Sequence, residues 1–262
     1  MCYQFNKYKV LPPTLISKLN NFVLSQQKSD NHAYFFETDD LINSENYDGG
    51  CYYIYTDNSD NIIGVITAFI IPESVTIYPV INQFHRKKHI FCKLLSLVIN
   101  DLRRNNYTSL YVSIPRESSE YLSPVISSTG FKYYDSEYLM SYSFLNYHKV
   151  DDELEIFFNE DNNEIEIWLD EDYIGGAFLD FDEDDNSANR CVTFYGFEIL
   201  DTFRHKGYGK KSFKSILNML SDMGFDKMIL HVSGKNKIAH NLYLNCELSV
   251  DSSIDVYELN IK

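Results

Sequence analysis

The apolar and polar positions of this chain follow the same order of patterns twice. In the first half, alternating or uninterrupted apolar and aromatic runs predict strands, and apolar residues three and four positions apart predict helices. The predicted order is strand, strand, strand, helix, strand, helix, strand, over residues 51–56, 62–71, 74–84, 91–104, 110–114, 119–128 and 131–143. The apolar stripe of the first of these helices consists of Phe91, Leu94, Leu95, Val98 and Leu102.

The second half repeats this order of elements. Its segments are residues 164–169, 173–181, 191–200, 213–223, 228–232, 237–244 and 254–261. One further helix, over residues 14–26, precedes the first repeat only. Helices between central strands imply a mixed sheet that is covered by helices and built twice. We therefore predict an α/β fold, with an α+β arrangement on a mixed sheet, in two tandem domains of residues 1–145 and 146–262.

The composition is that of a folded chain without a transmembrane helix. Hydrophobic residues make up 44% and charged residues 23% of the 262 positions, which is ordinary for globular proteins. The longest apolar run, Ile62–Ile71, has half of the roughly 20 residues needed to span a bilayer. The N-terminus lacks a basic stretch followed by an apolar core, so we expect no signal peptide and no membrane partner. The five cysteines form no C-x-x-C pair, so we expect a reducing cytoplasm and no metal site.

Negative charge is concentrated in the second half of the chain. Residues 1–150 carry 13 Lys and Arg against 14 Asp and Glu, whereas residues 151–262 carry 10 against 24. The segment Asp151–Asp185 alone holds 16 carboxylates and no Lys or Arg. Such a field repels nucleic acid, because nucleic acid is bound through cationic contacts to phosphate. It attracts an amine, although solvent-facing positions of strands and turns would give the same composition.

One basic stretch in this acidic half carries candidate chemistry. Residues Ile199–Lys210 run from the end of a predicted strand, through a loop with two glycines, into a predicted helix. Glycine lets backbone amides approach a ligand closely, and the first turn of a helix offers unpaired N–H donors at the positive end of its dipole. With the Lys and Arg side chains of this stretch, these features predict an anion site, most naturally for a pyrophosphate. The stretch matches neither the P-loop nor the dinucleotide-binding glycine pattern.

These residues resemble the signature of the GCN5-related N-acetyltransferases (GNAT). Arg204–Gly209 (RHKGYG) matches the family pattern [QR]-x-x-G-x-[GA] in full, with the apolar Ile199 five residues earlier. Asn236–Tyr243 (NKIAHNLY) matches a second element of the family, N-x-x-A-x-x-x-Y, at a fitting interval. The resemblance implies two GNAT-type domains in tandem, each a mixed sheet flanked by helices, as in bacterial tandem acetyltransferases.

The resemblance implies a site for acetyl-CoA, or another acyl-CoA, in the second half. The pyrophosphate would bind the loop residues Arg204, His205, Lys206, Gly207, Tyr208, Gly209 and Lys210. The pantetheine arm would run between splayed fourth and fifth strands, bonded to the backbone near Ile199 and Leu200 and touching Asn236. Tyr243 would stand near the thioester sulfur as general acid for the leaving thiolate, although it can also be one of 21 tyrosines packed in a core.

The base that deprotonates the acceptor amine has one candidate within the fourth strand. An amine is cationic at neutral pH and must lose a proton before it attacks a thioester, and in the family a carboxylate or an ordered water usually serves. Glu198 is the only carboxylate in that strand, and alternation directs its side chain away from the face of Phe197 and Ile199. The alternatives are a structural or exposed role for Glu198 and a base from the segment Asp151–Asp185.

The sequence departs from the family pattern in two places. Residues 81–91 align with the motif stretch of the second half, but His89 and Phe91 stand where the two glycines stand. Their side chains are expected to obstruct a pyrophosphate, so we expect one CoA site per chain. After the second element, Cys246–Leu248 replaces the Gly-Phe that is common in the family, which puts the local turn in question.

The sequence therefore predicts a cytoplasmic enzyme that transfers acetyl from acetyl-CoA to a primary amine by direct attack in a ternary complex. The alternative is a non-catalytic acyl-CoA-binding or interaction protein on the same doubled fold. A net charge of −15 disfavours a nucleic-acid partner. The acceptor is expected to be a small-molecule or peptide amine, polycationic amines included, and the chain to be a monomer or homodimer.

Overall fold

The computed structural model of the protein describes residues 4–30, 49–72, 74–86, 88–145, 147, 149, 154–181 and 190–262. The strands in these residues are β1 (Gln4–Tyr8), β2 (Tyr52–Thr56), β3 (Ile62–Ile71), β4 (Ser74–Ile81), β5 (Ser109–Pro115), β6 (Lys132–Ser143), β7 (Glu155–Asn159), β8 (Glu164–Leu169), β9 (Asp172–Asp180), β10 (Cys191–Ile199), β11 (Lys227–Ser233) and β12 (Ser249–Asn260). The α-helices are α1 (Pro13–Asp30), α2 (Ile90–Arg104), α3 (Ser119–Ser127), α4 (Tyr208–Asp222) and α5 (Lys237–Leu244). The acidic loop predicted over residues 182–190 lies outside the described residues except for Arg190.

Each strand and helix predicted from the periodicity is present, with ends that differ by a few residues. α1 extends four residues beyond the predicted end, to Asp30. β4 ends at Ile81, because Asn82 accepts a hydrogen bond from Phe84 N (3.0 Å) and turns the chain into a short 3₁₀ segment. β1 and β7 were not predicted, because they are five-residue strands whose side chains are mostly exposed and therefore carry a weak alternation signal.

The N-terminal unit consists of residues 1–134 and 255–262. Its strands follow the order β1-β2-β3-β4-β5, with the end of β12 beside β5. The pairs among β1 to β4 are antiparallel, and β4 and β5 are parallel. α2 packs on one face of the sheet through Leu94, and α1 covers the other face through Leu19 and Val23. Both faces of this sheet are therefore buried under helices.

The C-terminal unit consists of residues 135–254. Its strands follow the order β6-β11-β10-β9-β8-β7, with the start of β12 beside β6. β10 and β11 are parallel, and the pairs β6–β11, β9–β10, β8–β9 and β7–β8 are antiparallel. α4 packs on the sheet through Phe213, whose ring contacts that of Phe194 on β10 (centroids 5.4 Å apart). This is the mixed sheet with flanking helices that the repeated pattern predicts.

The two units exchange strand segments at their ends. β6 starts in the N-terminal unit and belongs from Asp135 onward to the C-terminal unit, whereas β12 starts in the C-terminal unit and returns from Asp255 to the N-terminal unit. Within the N-terminal unit, Arg116 pairs with Asp255 (2.7 Å) and fixes the returning segment. The predicted sequence domains, 1–145 and 146–262, differ from these units by the exchanged segments, and their boundaries stay a prediction.

Candidate active site

A β-bulge near the end of β10 sets the direction of the side chains at the candidate site. The register between β10 and β9 shifts between Tyr195 and Glu198, where Gly196 has a φ of +66°. A Cβ at this glycine would approach Phe178 Cδ2 to 2.8 Å, so the backbone conformation and the space both favour glycine. Beyond the bulge, Ile199 is buried in the core with α4 and Glu198 is exposed on the opposite face, as the alternation predicts.

The motif arginine braces the end of β10. Arg204 Nε donates to Ile199 O (2.6 Å), and its guanidinium pairs with Asp201 (2.5 Å). Leu200 N donates to Ile174 O (2.8 Å). The predicted pantetheine contacts, Ile199 and Leu200, thus already have hydrogen-bond partners within the protein. A carbonyl oxygen has two lone pairs, so each of these residues can still accept a further bond from a ligand.

The first turn of α4 is open to a ligand. Gly207 is its N-cap residue, in a left-handed conformation (φ +86°) and without a side-chain cap, and a Cβ there would meet no atom within 4 Å. A Cβ at Gly209 would meet only Ile199 Cγ1, at 3.9 Å. The first amides of a helix have no intrahelical acceptor. Donors and free space therefore coincide at the positive end of the helix dipole, which is an arrangement that can bind an anion.

Cationic side chains surround this turn. His205 (φ +61°), Lys206 and Lys210 are exposed. Lys206 Nζ lies 5.5 Å from the ring centroid of Phe203, which holds the ammonium beside the loop. The structure thus brings the predicted pyrophosphate-binding residues 204–210 together on one loop and helix start. The guanidinium of Arg204 is the exception within this group, since its recorded bonds go to the loop itself.

The equivalent turn of the N-terminal unit is filled by side chains. His89 is the N-cap residue of α2, with a φ of +59°, and Phe91 is 9% exposed within the hydrophobic core. These residues hold the positions of the two glycines of the second half. Arg86 Nε donates to Ile81 O (3.2 Å), which repeats the bond between the motif arginine and the strand end in the other unit. The N-terminal unit therefore keeps the loop geometry and carries side chains at both glycine positions, and obstruction of a pyrophosphate there stays a prediction.

β10 and β11 separate beside the motif. Their parallel pairing covers Cys191–Thr193 and Lys227–Ile229, whereas the strands continue to Ile199 and Ser233. The family resemblance predicts a gap between the fourth and fifth strands at this place. A ligand that extends from the glycine loop can enter the gap, because no ladder of hydrogen bonds closes it.

Tyr243 lies on α5 with its ring against Phe213 of α4 (centroids 5.1 Å apart) and is 7% exposed. Its hydroxyl has no hydrogen-bond partner among the described residues. Burial raises the pKa of Tyr243 to about 12, and the nearby Cys246 adds to this rise. Burial also raises the pKa of the Cys246 thiol, and the positive charge of Lys210 opposes that rise, so the start of α4 lies near the end of α5. The phenol of Tyr243 is therefore protonated at neutral pH and free to donate.

The second motif element begins at a turn held by a buried carboxylate that the sequence analysis missed. Asp135, 9% exposed, accepts hydrogen bonds from Ser233 Oγ (2.5 Å) and Lys235 N (3.1 Å). Asn236 Oδ1 accepts from Ala239 N (3.1 Å) and caps α5. The predicted pantetheine contact Asn236 thus has a structural role, and its Nδ2 donor remains for a ligand. No local pattern marks Asp135, because the turn residues that it holds, Ser233 and Lys235, are about 100 residues away in the sequence.

The turn after Tyr243 forms without the glycine that is common in the family. Leu248 is buried, and its N donates to Tyr243 O (3.1 Å). Glu247 has a φ of +67°, where the first half has Gly130 with a φ of +95°. A side chain in this conformation costs about 1–2 kcal/mol. The local turn that the sequence put in question is therefore formed, at some cost in stability.

Glu198 shares its face of the sheet with other acids and a tyrosine. Its carboxylate has no hydrogen-bond or ion-pair partner among the described residues. Burial raises the pKa of the Tyr173 hydroxyl, and the negative charges of Glu164, Glu166 and Glu198 raise it further. The hydroxyl of Tyr173 therefore lies within the field of three carboxylates. The sequence analysis singled out neither Tyr173 nor Glu166, although alternation along β8 to β10 was the available signal.

Neither a metal centre nor a membrane helix is found in the part of the chain that the structure describes. Within these residues, no group of three or more His, Cys, Asp or Glu side chains is placed to hold a metal ion. None of the described helices is long and apolar enough to cross a membrane.

Comparison with known proteins places this site in a family. Residues 128–247, which include the glycine loop, α4 and the second motif element, match the acetyltransferase (GNAT) family. No curated protein sequence matches the chain. Residues 128–247 therefore form a domain of the acetyltransferase (GNAT) family. Membership supports N-acetyltransferase activity, with acetyl-CoA as donor, at the level of the family.

Solved structures with the same fold cover the whole chain. A GCN5-related N-acetyltransferase from Sphaerobacter thermophilus is similar over 99% of this chain and 96% of its own, with a TM-score of 0.69 and 9% identity. A tandem GNAT protein from the clavulanic acid biosynthesis pathway is similar over 100% of this chain and 99% of its own, with a TM-score of 0.63 and 6% identity. A glucosamine N-acetyltransferase region of a fungal multi-domain β-N-acetylglucosaminidase is similar over 98% of this chain and 38% of that longer one, with a TM-score of 0.70 and 10% identity. At these identities the similarity shows the fold, that of a tandem GNAT protein.

Proposed function

We propose that this chain is an acyl-CoA-dependent N-acyltransferase that transfers acetyl to a primary amine within a ternary complex, at a site in its C-terminal unit. The observation that supports this most is the open first turn of α4. Glycine in a helix lowers stability by about 1 kcal/mol relative to Ala, and Gly209 has no packing neighbour that requires it. A ligand that needs the space explains this glycine.

The residues of the turn fit the pyrophosphate of acetyl-CoA. The amides from Tyr208 to Lys210 donate to phosphate oxygens, and the exposed Lys206 and Lys210 balance the negative charge. Arg204 holds the loop in shape through its bond to Ile199 O. The donor arm then extends into the gap between β10 and β11, toward the hydroxyl of Tyr243.

Two groups of this chain move protons in the proposed reaction. When bound, acetyl-CoA supplies the thioester whose C–S bond breaks as the amine nitrogen bonds to the carbonyl carbon. Glu198 accepts the proton that the ammonium nitrogen loses, directly or through a water. Tyr243 Oη holds the proton that the leaving sulfur takes, and the raised pKa keeps this proton in place at neutral pH. As the amide forms, the nitrogen loses a second proton, which returns through solvent to the Tyr243 oxygen that protonated the sulfur. Glu198 releases its proton to solvent, and the products are an amide and a thiol.

The two proton-transfer groups lie on opposite faces of the sheet in this proposal. Glu198 is exposed on the face away from α4, and Tyr243 packs against α4. The paired strands separate these faces only at Cys191–Thr193 and Lys227–Ile229, and beyond these residues the gap between β10 and β11 connects them. The amine therefore approaches from the side of Glu198, and the thiol leaves on the side of Tyr243.

Thiol release from acetyl-CoA with a panel of primary amines tests the function. We expect release with at least one amine, and a fall in kcat of about 10²–10⁴-fold in Glu198→Gln with unchanged CoA affinity, as for loss of a general base. Glu160→Gln is the matched control, since it removes the same charge from an exposed turn of the same unit. Tight acetyl-CoA binding without release by any amine would instead favour the non-catalytic acyl-CoA-binding protein.

A further inference from the structure

One face of the C-terminal sheet combines acids with exposed aromatic rings. We call it the open face, and it consists of Glu166, Trp168, Tyr173, Phe178, Tyr195 and Glu198 on β8, β9 and β10. α4 and α5, the α-helices that the structure describes in this unit, pack on the other side, where Phe213 and Tyr243 contact each other. Among the described residues of this unit, no helix covers the open face as α1 covers the corresponding face of the N-terminal unit.

The two repeats differ sharply in the residues that occupy this face. In the N-terminal unit, Ile54, Val65 and Val80 form one row across β2, β3 and β4 and are buried together with α1. The matching row of the C-terminal unit is Glu166, Gly176 and Glu198 across β8, β9 and β10. An apolar row in one repeat thus corresponds to two carboxylates on either side of a glycine in the other.

The middle position of this row leaves room between the carboxylates. Neighbouring strands lie about 4.8 Å apart, so the Cα atoms of Glu166 and Glu198 are about 10 Å apart with no side chain on the strand between them. The Tyr173 hydroxyl occupies part of this room, 3.0 Å from the position of a Cβ on Gly176. It has no hydrogen-bond partner among the described residues, although three carboxylates influence it. The slot therefore combines two acids with an uncommitted phenol.

A role in solubility explains the carboxylates on this face but does not explain its exposed aromatic side chains. Tyr195 is 50% and Tyr173 36% exposed, and a solvated strand face gains nothing from large aromatic side chains. The rings are ordered in pairs: Phe178 stacks on Tyr195 (centroids 5.6 Å, 25°), and Trp168 meets Tyr173 edge-on (5.6 Å, 71°). Aromatic faces beside carboxylates are the surroundings in which proteins bind organic cations. The charge and the rings thus complement an alkylammonium group.

We propose that the open face is the acceptor subsite and selects aliphatic amines that carry a second protonated amine. The reacting amine lies at Glu198, and the second ammonium is held by Glu166 against the rings of Trp168 and Tyr173. This inference rests on the proposed function for the identity of the reacting amine. It adds the substrate class, a diamine or polyamine, and the residues that recognise it.

The test compares 1,4-diaminobutane with butylamine, which differ by one ammonium group. We expect kcat/KM to be about tenfold or more higher for the diamine, because a hydrogen bond to a charged group is typically worth that factor. Glu166→Gln should remove this advantage by raising KM for the diamine, with a smaller effect on butylamine, which has no second ammonium. Gln keeps an acceptor for Trp168 Nε1, which donates to Glu166 (3.0 Å), so the fold is expected to stay intact. Equal loss for both amines, or no preference in the wild type, would overturn the proposal.

Two further measurements separate this inference from the proposed function. Glu160→Gln removes a carboxylate from the neighbouring turn and should leave the diamine preference unchanged. Calorimetric titration with 1,4-diaminobutane measures binding without turnover. If no amine is acetylated, the proposed function fails, yet binding that weakens about tenfold in Glu166→Gln would still support the cation site. Absence of diamine binding to the wild type would reject the site even if acetylation is observed.

Discussion

At the scale of single residues, Gly207 and Gly209 are notable for the free space around them. A Cβ on Gly207 would meet nothing within 4 Å, and one on Gly209 would make a single ordinary contact at 3.9 Å. In the other unit, the same two positions carry His89 and Phe91, so the helix start itself tolerates side chains. Steric packing within the chain thus does not select glycine at 209, whereas the phosphate group of the proposed donor site would.

The first prediction concerns these glycines. Gly207→Glu places an anionic side chain in the phosphate space and should abolish CoA binding, measured by isothermal titration. Gly207→Ala is the control for the positive φ, and should lower stability by about 1 kcal/mol while retaining most of the affinity. His89→Glu should leave CoA binding unchanged. A stoichiometry of two CoA per chain would contradict a single site.

The second prediction concerns the hydroxyl of Tyr243. Tyr243→Phe removes only the hydroxyl oxygen, which makes no hydrogen bond to any described residue. The packing of the ring against Phe213 should therefore persist. We expect kcat to fall by roughly 10²–10⁴-fold with CoA affinity nearly unchanged. Steady-state kinetics together with CoA titration measures both quantities. An unchanged kcat would assign Tyr243 to packing alone.

The third prediction follows from the raised pKa of the same hydroxyl. The pKa is about 12 in the folded protein and about 10 in the unfolded chain, so folding favours the protonated form. The resulting stabilisation is fully present below pH 10 and is lost as pH rises toward 12. Wild type should therefore lose about 2–3 kcal/mol relative to Tyr243→Phe over this range, measured by urea unfolding. Parallel pH profiles of the two proteins would contradict the shift.

At the scale of elements, periodicity predicts what is determined locally and misses what distant parts of the chain decide. The apolar stripe of α4 and the alternation of β8 are local, and both were predicted. Glycine is favoured at the bulge residue Gly196 because a Cβ there would clash with Phe178 of β9, which no local pattern records. The end of β12 returns to the N-terminal unit for the same reason, since its partners, such as Arg116, lie more than 100 residues away.

The candidate site also has a part that the sequence predicts and a part that only the folded structure shows. Glycines and flanking cations lie within one short stretch, so the donor loop is readable from the sequence. The structural roles of Arg204 and Asn236 could not be predicted from the sequence. Each side chain bonds to nearby backbone, and these hydrogen bonds are known only from the folded geometry. The acids and rings of the open face come from three strands. They become a site only when the register of β8, β9 and β10 aligns them.

The fourth prediction concerns the turn between β11 and α5. Asp135 holds it through Ser233 Oγ and Lys235 N, and this turn orients the helix that carries Tyr243. Asp135→Asn keeps the size and loses a charged acceptor, so we expect about 1–3 kcal/mol lower stability. If the turn positions Tyr243, kcat should fall as well, while Asp135→Glu should restore part of it. Lower stability with an unchanged kcat would limit Asp135 to a structural role.

At the scale of the whole molecule, the differences between two units of similar topology account for the distribution of the proposed chemistry. Both units keep the arginine that braces the strand end, with Arg86 bonded to Ile81 O and Arg204 bonded to Ile199 O. The N-terminal unit buries both faces of its sheet under α1 and α2, and fills its glycine positions. The C-terminal unit leaves the helix start and one sheet face accessible. The chemistry proposed here is therefore confined to the C-terminal unit.

The last prediction follows from the charge of the chain, which is −15 with the excess in the second half. The segment Asp151–Asp185 has 16 carboxylates, and the described part of it includes Glu164 and Glu166 beside the open face. A field of this sign draws a polyamine toward the site, and salt weakens it as the screening length falls from about 10 Å at 0.1 M to about 3 Å at 1 M. We expect kcat/KM to fall steeply over this range for a polyamine and little for a monoamine. Equal, flat responses would mean that these carboxylates face water without steering a substrate, and the acceptor would then be an amine of lower charge.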